Sequence, residues 1–243
     1  MTKGFADIHQ HLVYGVDDGP NTFRKTCAML QMAKQNQVNR IIATPHVVPG
    51  VQDFDRDSFM KKLERTRSFC EHLELGIEIF PGAEIFYTEQ TCKFLLEDRV
   101  PTLAGTGYVL VEFSPDVSYQ QVQAAVENLS RDGYIPVIAH VERYRCVVSK
   151  PRSAYELKER FNVRYQVNCS TVIHGKGVLV NRFCKKLLSD GLIDAVATDA
   201  HNVDTRPIRM MEAYKVLEDQ CGAAYAERLT GLDGGLVFSC PRS

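Results

Sequence analysis

Apolar residues recur along the chain in short, nearly continuous runs separated by longer amphipathic stretches, a pattern that predicts β-strands alternating with α-helices. Seven runs read as strands: Phe5 to His9, Arg40 to Thr44, Ile77 to Gly82, Tyr108 to Phe113, Ile135 to His140, Arg164 to Asn168 and Ala195 to Asp199. Continuous rather than alternating hydrophobicity marks strands covered on both faces, as in parallel α/β sheets. Seven βα repeats predict a closed or nearly closed (β/α)7 barrel of the TIM-like kind, with every strand pointing its carboxyl end to one rim.

The helical stretches carry their own signals. Ser118 followed by Gln121 forms a capping box, and Val122, Ala125, Val126 and Leu129 then share one face. Pro207 stands where it can open a helix whose Met210, Met211, Tyr214 and Leu217 repeat at helical spacing. Residues 53–75 predict a charged helix bearing Phe59, Leu63 and Phe69, with His72 solvated near its end. No linker, internal repeat or low-complexity tract interrupts the series, so residues 1–243 read as one domain, a usual size for an α/β barrel.

Charge and composition exclude some function classes. Twenty-nine basic residues against 30 acidic leave a formal charge of −1, which gives no electrostatic reason to expect nucleic acid as a partner. The longest apolar runs are strand-sized, so no membrane insertion is expected. The first residues, Met1-Thr2-Lys3-Gly4-Phe5, lack a signal-peptide pattern. The eight cysteines are scattered singly, without Cys-x-x-Cys, and read as free thiols in a cytoplasmic protein.

The candidate chemistry lies in the histidines. A lone histidine near a strand is more often a packed core residue than a ligand. Here His9, His11, His46, His140 and His201 all fall at or just beyond the carboxyl end of an apolar run, and only His72 and His174 do not. Residues two apart in a strand share a face, so His9 and His11 can approach one cation, and so can Asp199 and His201. Asp18, Glu84 and Glu112 occupy equivalent rim positions. Five imidazoles and four carboxylates are too many for one cation and suit three. Mixed N/O ligation without cysteine fits Mn, Fe or Zn rather than a structural zinc knot. Three divalent ions, four carboxylates and a bridging hydroxide leave a charge of about +1, which attracts a phosphate dianion. Arg143, three residues after His140, and Arg206, five after His201, can complete a phosphate pocket with their planar forks. Asp7 shares the parity of both strand histidines and is either an imidazole-orienting partner or a barrel-filling hydrogen-bond acceptor.

Asp7-Ile8-His9-Gln10-His11, Val16-Asp17-Asp18-Gly19-Pro20, Thr44-Pro45-His46, Gly82-Ala83-Glu84-Ile85-Phe86-Tyr87, Ala139-His140-Val141-Glu142-Arg143-Tyr144 and Thr198-Asp199-Ala200-His201-Asn202 occur in that order. Together they resemble the PHP (polymerase and histidinol phosphatase) superfamily, and within it the bacterial manganese-dependent protein-tyrosine phosphatases of capsule and exopolysaccharide operons. The resemblance implies three divalent ions, manganese foremost. His9, His11, Glu84 and Asp199 would hold one. Glu84 would bridge to a second held with Glu112 and His140, while Asp18, His46 and His201 would hold the third. The choice of Asp18 over Asp17 rests on this likeness, and Gln10 departs from the small serine usual between the two histidines.

The resemblance also implies a phosphomonoesterase in which a metal-bridged hydroxide attacks phosphorus in line while Arg143 and Arg206 clamp the phosphoryl group. The substrate would be a phosphotyrosine protein, a bacterial tyrosine kinase controlling capsule or exopolysaccharide synthesis. Histidinol phosphate is the alternative substrate within the same fold and chemistry. An amidohydrolase-type hydrolase is the alternative outside it, although that class commonly uses a bridging lysine and leaves Asp18 and His46 without a role.

Overall fold

The computed structural model describes residues 4–231. Its strands are β1 (Phe5–Gln10), β2 (Val38–Ala43), β3 (His46–Val47), β4 (Glu78–Pro81), β5 (Glu84–Phe86), β6 (Tyr108–Glu112), β7 (Ile135–Ile138), β8 (Arg164–Asn168) and β9 (Ala195–Ala197). They form two ladders, ordered β1-β2-β4 and β3-β5-β6-β7-β8-β9, and every pairing within them is parallel. The architecture is an α/β fold built on a curled parallel sheet.

The strand segments outnumber the seven apolar runs because two runs continue past a break. Pro45 has no N–H to give a ladder, so the chain leaves β2 at Ala43 and resumes pairing as β3 at His46. Gly82 and Ala83 separate β4 from β5 in the same way. A Cβ at Gly82 would lie 2.6 Å from Ile42 Cγ2, so only glycine lets the bent strand approach its neighbour.

Both faces of the sheet are buried. Val109, Val111, Ile138 and Val196 join the large core beneath the helices. Their alternates Leu110, Val137, Ala139, Ala195 and Ala197 form a second cluster with Ile8 and Ile42. This division explains why the runs are continuous rather than alternating.

The helices are α1 (Phe23–Gln35), α2 (Arg56–His72), α3 (Thr91–Leu96), α4 (Tyr119–Arg131), α5 (Arg145–Val148), α6 (Arg152–Arg160), α7 (Cys169–His174), α8 (Val178–Ser189), α9 (Met210–Cys221) and α10 (Ala223–Thr230). In α4 the Ser118 Oγ accepts from Gln121 N at 3.3 Å, and Gln121 Oε1 accepts from Ser118 N at 3.0 Å. Val122, Ala125, Val126 and Leu129 are all fully buried, which for aliphatic side chains of this size contributes roughly 1.5–3 kcal/mol each for valine and leucine. Asp55 caps α2, which buries Phe59 and Leu63 and leaves His72 exposed.

Pro207 does not open a helix. α9 starts at Met210, because His201 N and Asn202 N both donate to Arg206 O and hold a loop that must close before Ile208 can turn into the core. His174 ends α7 rather than lying in a loop. Seven cysteines are free among the described residues, and Cys240 lies outside them. Among the described residues no helix is long and apolar enough to cross a membrane.

Candidate metal centre

β1 meets the end of β9 through a parallel bridge between Gln10 and Ala200, with Asp199 N donating to His9 O and His11 N to Ala200 O. This contact joins the two histidine-bearing segments that the chain separates by nearly its whole length. His140 follows β7 and Asp199 follows β9, and both adopt a left-handed backbone, with φ of 32° and 53°. Non-glycine residues enter that region at a cost and concentrate at functional sites. Gly19 allows the Val16-Asp17-Asp18-Gly19-Pro20 loop to close over β1, since a Cβ there would lie 2.7 Å from His11 O.

All nine candidate ligands converge, and eight of them form three overlapping groups of closely spaced donor atoms. His9, His11, Glu84 and Asp199 form a fully buried group; His11, Asp18, His46 and His201 form a second; His46, Glu84 and Glu112 form a third. His140 stands beside the third group, its Nε2 at 2.7 Å from Glu84 Oε1 and 3.7 Å from Glu112 Oε2. Glu84 is the hub. Its Oε2 lies 3.0 Å from His9 Nε2, 3.2 Å from His11 Nε2 and 3.1 Å from His46 Nδ1. Asp18 faces His201 Nε2 at 3.2 Å and His46 Nε2 at 3.6 Å.

The two adjacent aspartates separate cleanly. Asp18 is the one that faces the imidazoles from the solvent side, with its side chain 61% exposed. Asp17 sits behind, accepting from His11 Nδ1 at 2.6 Å, His46 N at 3.1 Å and Gly19 N at 3.0 Å. Burial pushes the Asp17 carboxyl up, but these donors outweigh it and hold it down at about 2.

The four buried imidazoles share one orientation. Each spends Nδ1 on a partner outside the centre and turns Nε2 inward. His11 Nδ1 donates to Asp17, and His201 Nδ1 to Asp199 O at 3.0 Å. His9 Nδ1 lies 3.1 Å from Gln166 Oε1, an atom fixed as the oxygen because it also accepts from His140 N at 2.8 Å. His140 Nδ1 lies 3.3 Å from the Tyr144 hydroxyl. An Nδ1–H donor leaves Nε2 as a bare lone pair, and His9 Nε2 and His11 Nε2 are only 3.4 Å apart.

Such a donor set fits divalent cations. Buried polar atoms ordinarily find hydrogen-bond partners, yet Glu84 Oε2 and His201 Nε2 have none among the described residues, in a site crowded with candidate ligand atoms. Burial, with His11 and Arg206 beside it, pushes His201 down to about 4, so its imidazole is neutral at ordinary pH. Burial also pushes Glu84 and Asp199 up, but without cations His9 and His11 take up protons, and their charge outweighs burial and holds both carboxyls well below their usual range. Gln10, between the strand histidines, is fully buried and makes no side-chain hydrogen bond.

Arg143 and Arg206 flank Asp199. Arg143 Nη2 donates to Oδ2 at 2.7 Å and Arg206 Nη2 to Oδ1 at 2.9 Å, while Arg206 Nη1 lies 3.7 Å from Asp18 Oδ2. Their side chains are 30% and 38% exposed, so each spans from the buried carboxylate to solvent.

Asp7 does not orient an imidazole ring. It accepts from the backbone N and hydroxyl of Thr198, filling the sheet interior, and burial pushes its carboxyl up to about 6. The ring-orienting role at His9 belongs to Gln166, whose Nε2 donates to Asn168 Oδ1 at 2.8 Å. Asn168 Nδ2 in turn donates to Asp199 Oδ2 at 2.8 Å. Glutamine and asparagine two apart on β8 share a face, but that spacing alone does not distinguish them from ordinary strand residues.

Known proteins share this chain's organisation. A sequence model described as capsular polysaccharide synthesis, CpsB/CapC, matches residues 5–236. The tyrosine-protein phosphatase CpsB of Streptococcus agalactiae serotype V is 30% identical over 234 residues, covering 92% of this chain and 93% of its own length. The tyrosine-protein phosphatase YwqE of Bacillus subtilis is 30% identical over 224 residues, covering 92% and 88%. A solved structure from work on YwqE and Streptococcus pneumoniae CpsB, described as unique metal-dependent tyrosine phosphatases, superposes with a TM-score of 0.84 over 92% of this chain and 90% of its own, at 30% identity. A β-aspartyl dipeptidase from Fervidobacterium islandicum AW-1 superposes at 0.52 with 12% identity, covering 93% and 72%, a likeness of fold alone.

Proposed function

The chain belongs to the CpsB/CapC family of capsular polysaccharide synthesis, and on that premise we propose that the rim centre hydrolyses phosphotyrosine in a protein substrate. The activity is that of a metal-dependent tyrosine phosphatase. One observation carries its assignment to this site: four buried imidazoles have Nδ1 tied outside and Nε2 turned onto the carboxylate hub Glu84 and its neighbours.

We assign His9, His11, Glu84 and Asp199 to one divalent ion, Glu84, Glu112 and His140 to a second, and Asp18, His46 and His201 to a third, with manganese the expected occupant. Bound divalent ions supply Lewis-acid charge and lower the pKa of water at the centre. The chain's own residues do the rest. Gln166, Asp17 and Tyr144 fix the imidazoles, so the ligand set needs little reorganisation. Arg143 and Arg206, standing between Asp199 and solvent, receive the phosphoryl oxygens and hold them through the charge build-up of transfer. A tyrosine phenolate leaves with a pKa of about 10, so it needs less protonation than an alkoxide.

Continuation of β2 into β3 and of β4 into β5, together with the Gln10–Ala200 bridge, supports reading the curled sheet as one distorted seven-stranded barrel around this centre, within a single domain. We propose a tyrosine kinase of capsule or exopolysaccharide synthesis as the phosphoprotein, a reading in keeping with the family's description as capsular polysaccharide synthesis. The test couples metal analysis to turnover of a phosphotyrosine peptide against histidinol phosphate. The expected result is metal-dependent turnover favouring the peptide, with His9→Ala and Asp199→Ala losing metal and activity together. Arg206→Ala should keep its metal while kcat/KM falls at least ten-fold, the effect of removing about 1.4 kcal/mol of transition-state stabilisation. Preference for histidinol phosphate, or metal-independent turnover, contradicts the assignment.

A further inference from the structure

A cavity of about 240 Å³ is lined by Asp199, the loop carrying Thr205 and Arg206, and residues at the starts of α7 and α9. Arg143, Arg206 and Asp199 form one part of its wall, and Arg209 and His174 another. Three guanidinium groups and one carboxylate therefore line the same cavity. Arg143 and Arg206 share that carboxylate, one on each oxygen. Arg209 is not part of the pairing: its Nη1 lies 3.3 Å from His174 Nε2 and 3.3 Å from Glu212 Oε2. The Glu212 contact is half-exposed, so solvent screens it and it contributes little to holding the charge. His174 Nε2 faces the Arg209 guanidinium and orients it without bringing a negative charge against it.

Arg143 and Arg206 touch both the metal centre's Asp199 and this cavity, so an anion in the cavity would lie immediately beside a phosphoryl group clamped by the same two arginines. We propose that the cavity is a second anion subsite, in which Arg209, oriented by His174, takes the carboxylate of an acidic residue flanking the phosphotyrosine of the substrate polypeptide. The inference rests on the phosphatase reading and specifies its substrate class. A free small phosphomonoester has no group to place there, whereas a polypeptide carries one at a fixed spacing. Arg209 is thus a specificity-determining residue, and His174 a positioning residue acting through it.

The experiment compares kcat/KM of manganese-loaded protein on matched phosphotyrosine peptides whose flanking residues are Glu, Gln or Lys. A partly solvated charge-assisted contact predicts a roughly five-fold preference for Glu over Gln, carried by KM and weakened by salt. Arg209→Gln should abolish the preference and Arg209→Glu should invert it toward Lys, an outcome that a merely structural role for Arg209 does not produce. His174→Ala should reduce the preference while the charge of Arg209 remains. Thermal melts of each variant identify any that fail to fold, and Arg209→Gln serves where charge reversal does. Equal kcat/KM for the three peptides in the unaltered protein overturns this inference alone. Failure to turn over any of them overturns the phosphatase reading and this one with it. If inorganic phosphate is the true occupant, Arg209→Gln weakens product inhibition and leaves peptide choice unchanged, which also rejects the proposal.

Discussion

Gln166 joins two sides of the centre through one amide: its oxygen receives His9 Nδ1 and His140 N, and its nitrogen reaches Asn168, which holds Asp199. Partners that fix a ligating imidazole typically change metal affinity by 10–100-fold when removed. Gln166→Leu keeps similar bulk but leaves the buried His140 N–H without an acceptor and His9 free to rotate. The expected result is a loss of roughly ten-fold or more in metal affinity, read by competition with a coloured chelator. A melting temperature lowered by the equivalent of about 1–3 kcal/mol should accompany it. Unchanged affinity would show that His9 does not depend on this bond. Eight of the nine inner residues end or follow an apolar run, a signal the sequence carries by itself, while the choice of Asp18 over Asp17 came from the family likeness. Gln166 and Asn168 were not legible there, since an amide in a strand has no spacing that betrays its partners, and the shared parity of Asp7 with His9 left open two roles, of which the structure shows the interior hydrogen-bond acceptor.

At the scale of elements, local signals worked where they were self-contained. The capping box and apolar face of α4 both appear in the structure, because the Ser118–Gln121 pair closes on itself and needs no tertiary help. Ser118→Ala removes the acceptor for Gln121 N. It should lower stability by about 1 kcal/mol in urea denaturation, with turnover preserved because the pair is exposed and stands outside the centre. A change below a few tenths of a kcal/mol would mean that packing alone sets the start of α4. Signals failed where an element answers to distant partners. The two-residue β3 and three-residue β5 pair with each other only after Pro45 and Gly82 bend their parent strands. α9 starts three residues beyond Pro207 because the loop carrying His201 and Arg206 closes first.

Across the whole molecule, the centre is where the first and last strands meet, so cations held there tie residues 9–18 to residues 199–206. The fold itself does not choose the chemistry, since a dipeptidase shares it at 12% identity; the carboxylates and arginines at the rim do. Those same groups make the protein's stability depend on what they bind. Glu84, Asp199, Asp18 and Glu112 crowd five imidazoles into one region, and two of their buried polar atoms have no hydrogen-bond partner. A ligand that binds only the folded state stabilises it by about 2.7 kcal/mol at a hundred-fold excess over Kd. For a chain of this size each kcal/mol moves the melting temperature by roughly 2–4 °C. Chelation should therefore lower the transition by about 5–10 °C, and added manganese should restore it. The shift should shrink in Asp199→Asn, which removes a ligand charge and releases Arg143 and Arg206, whereas Ser118→Ala should show the full shift from its lower starting point. Calorimetry with and without chelator separates these cases, and a transition indifferent to chelation in the unaltered protein would remove the cations from any role in joining β1 to β9.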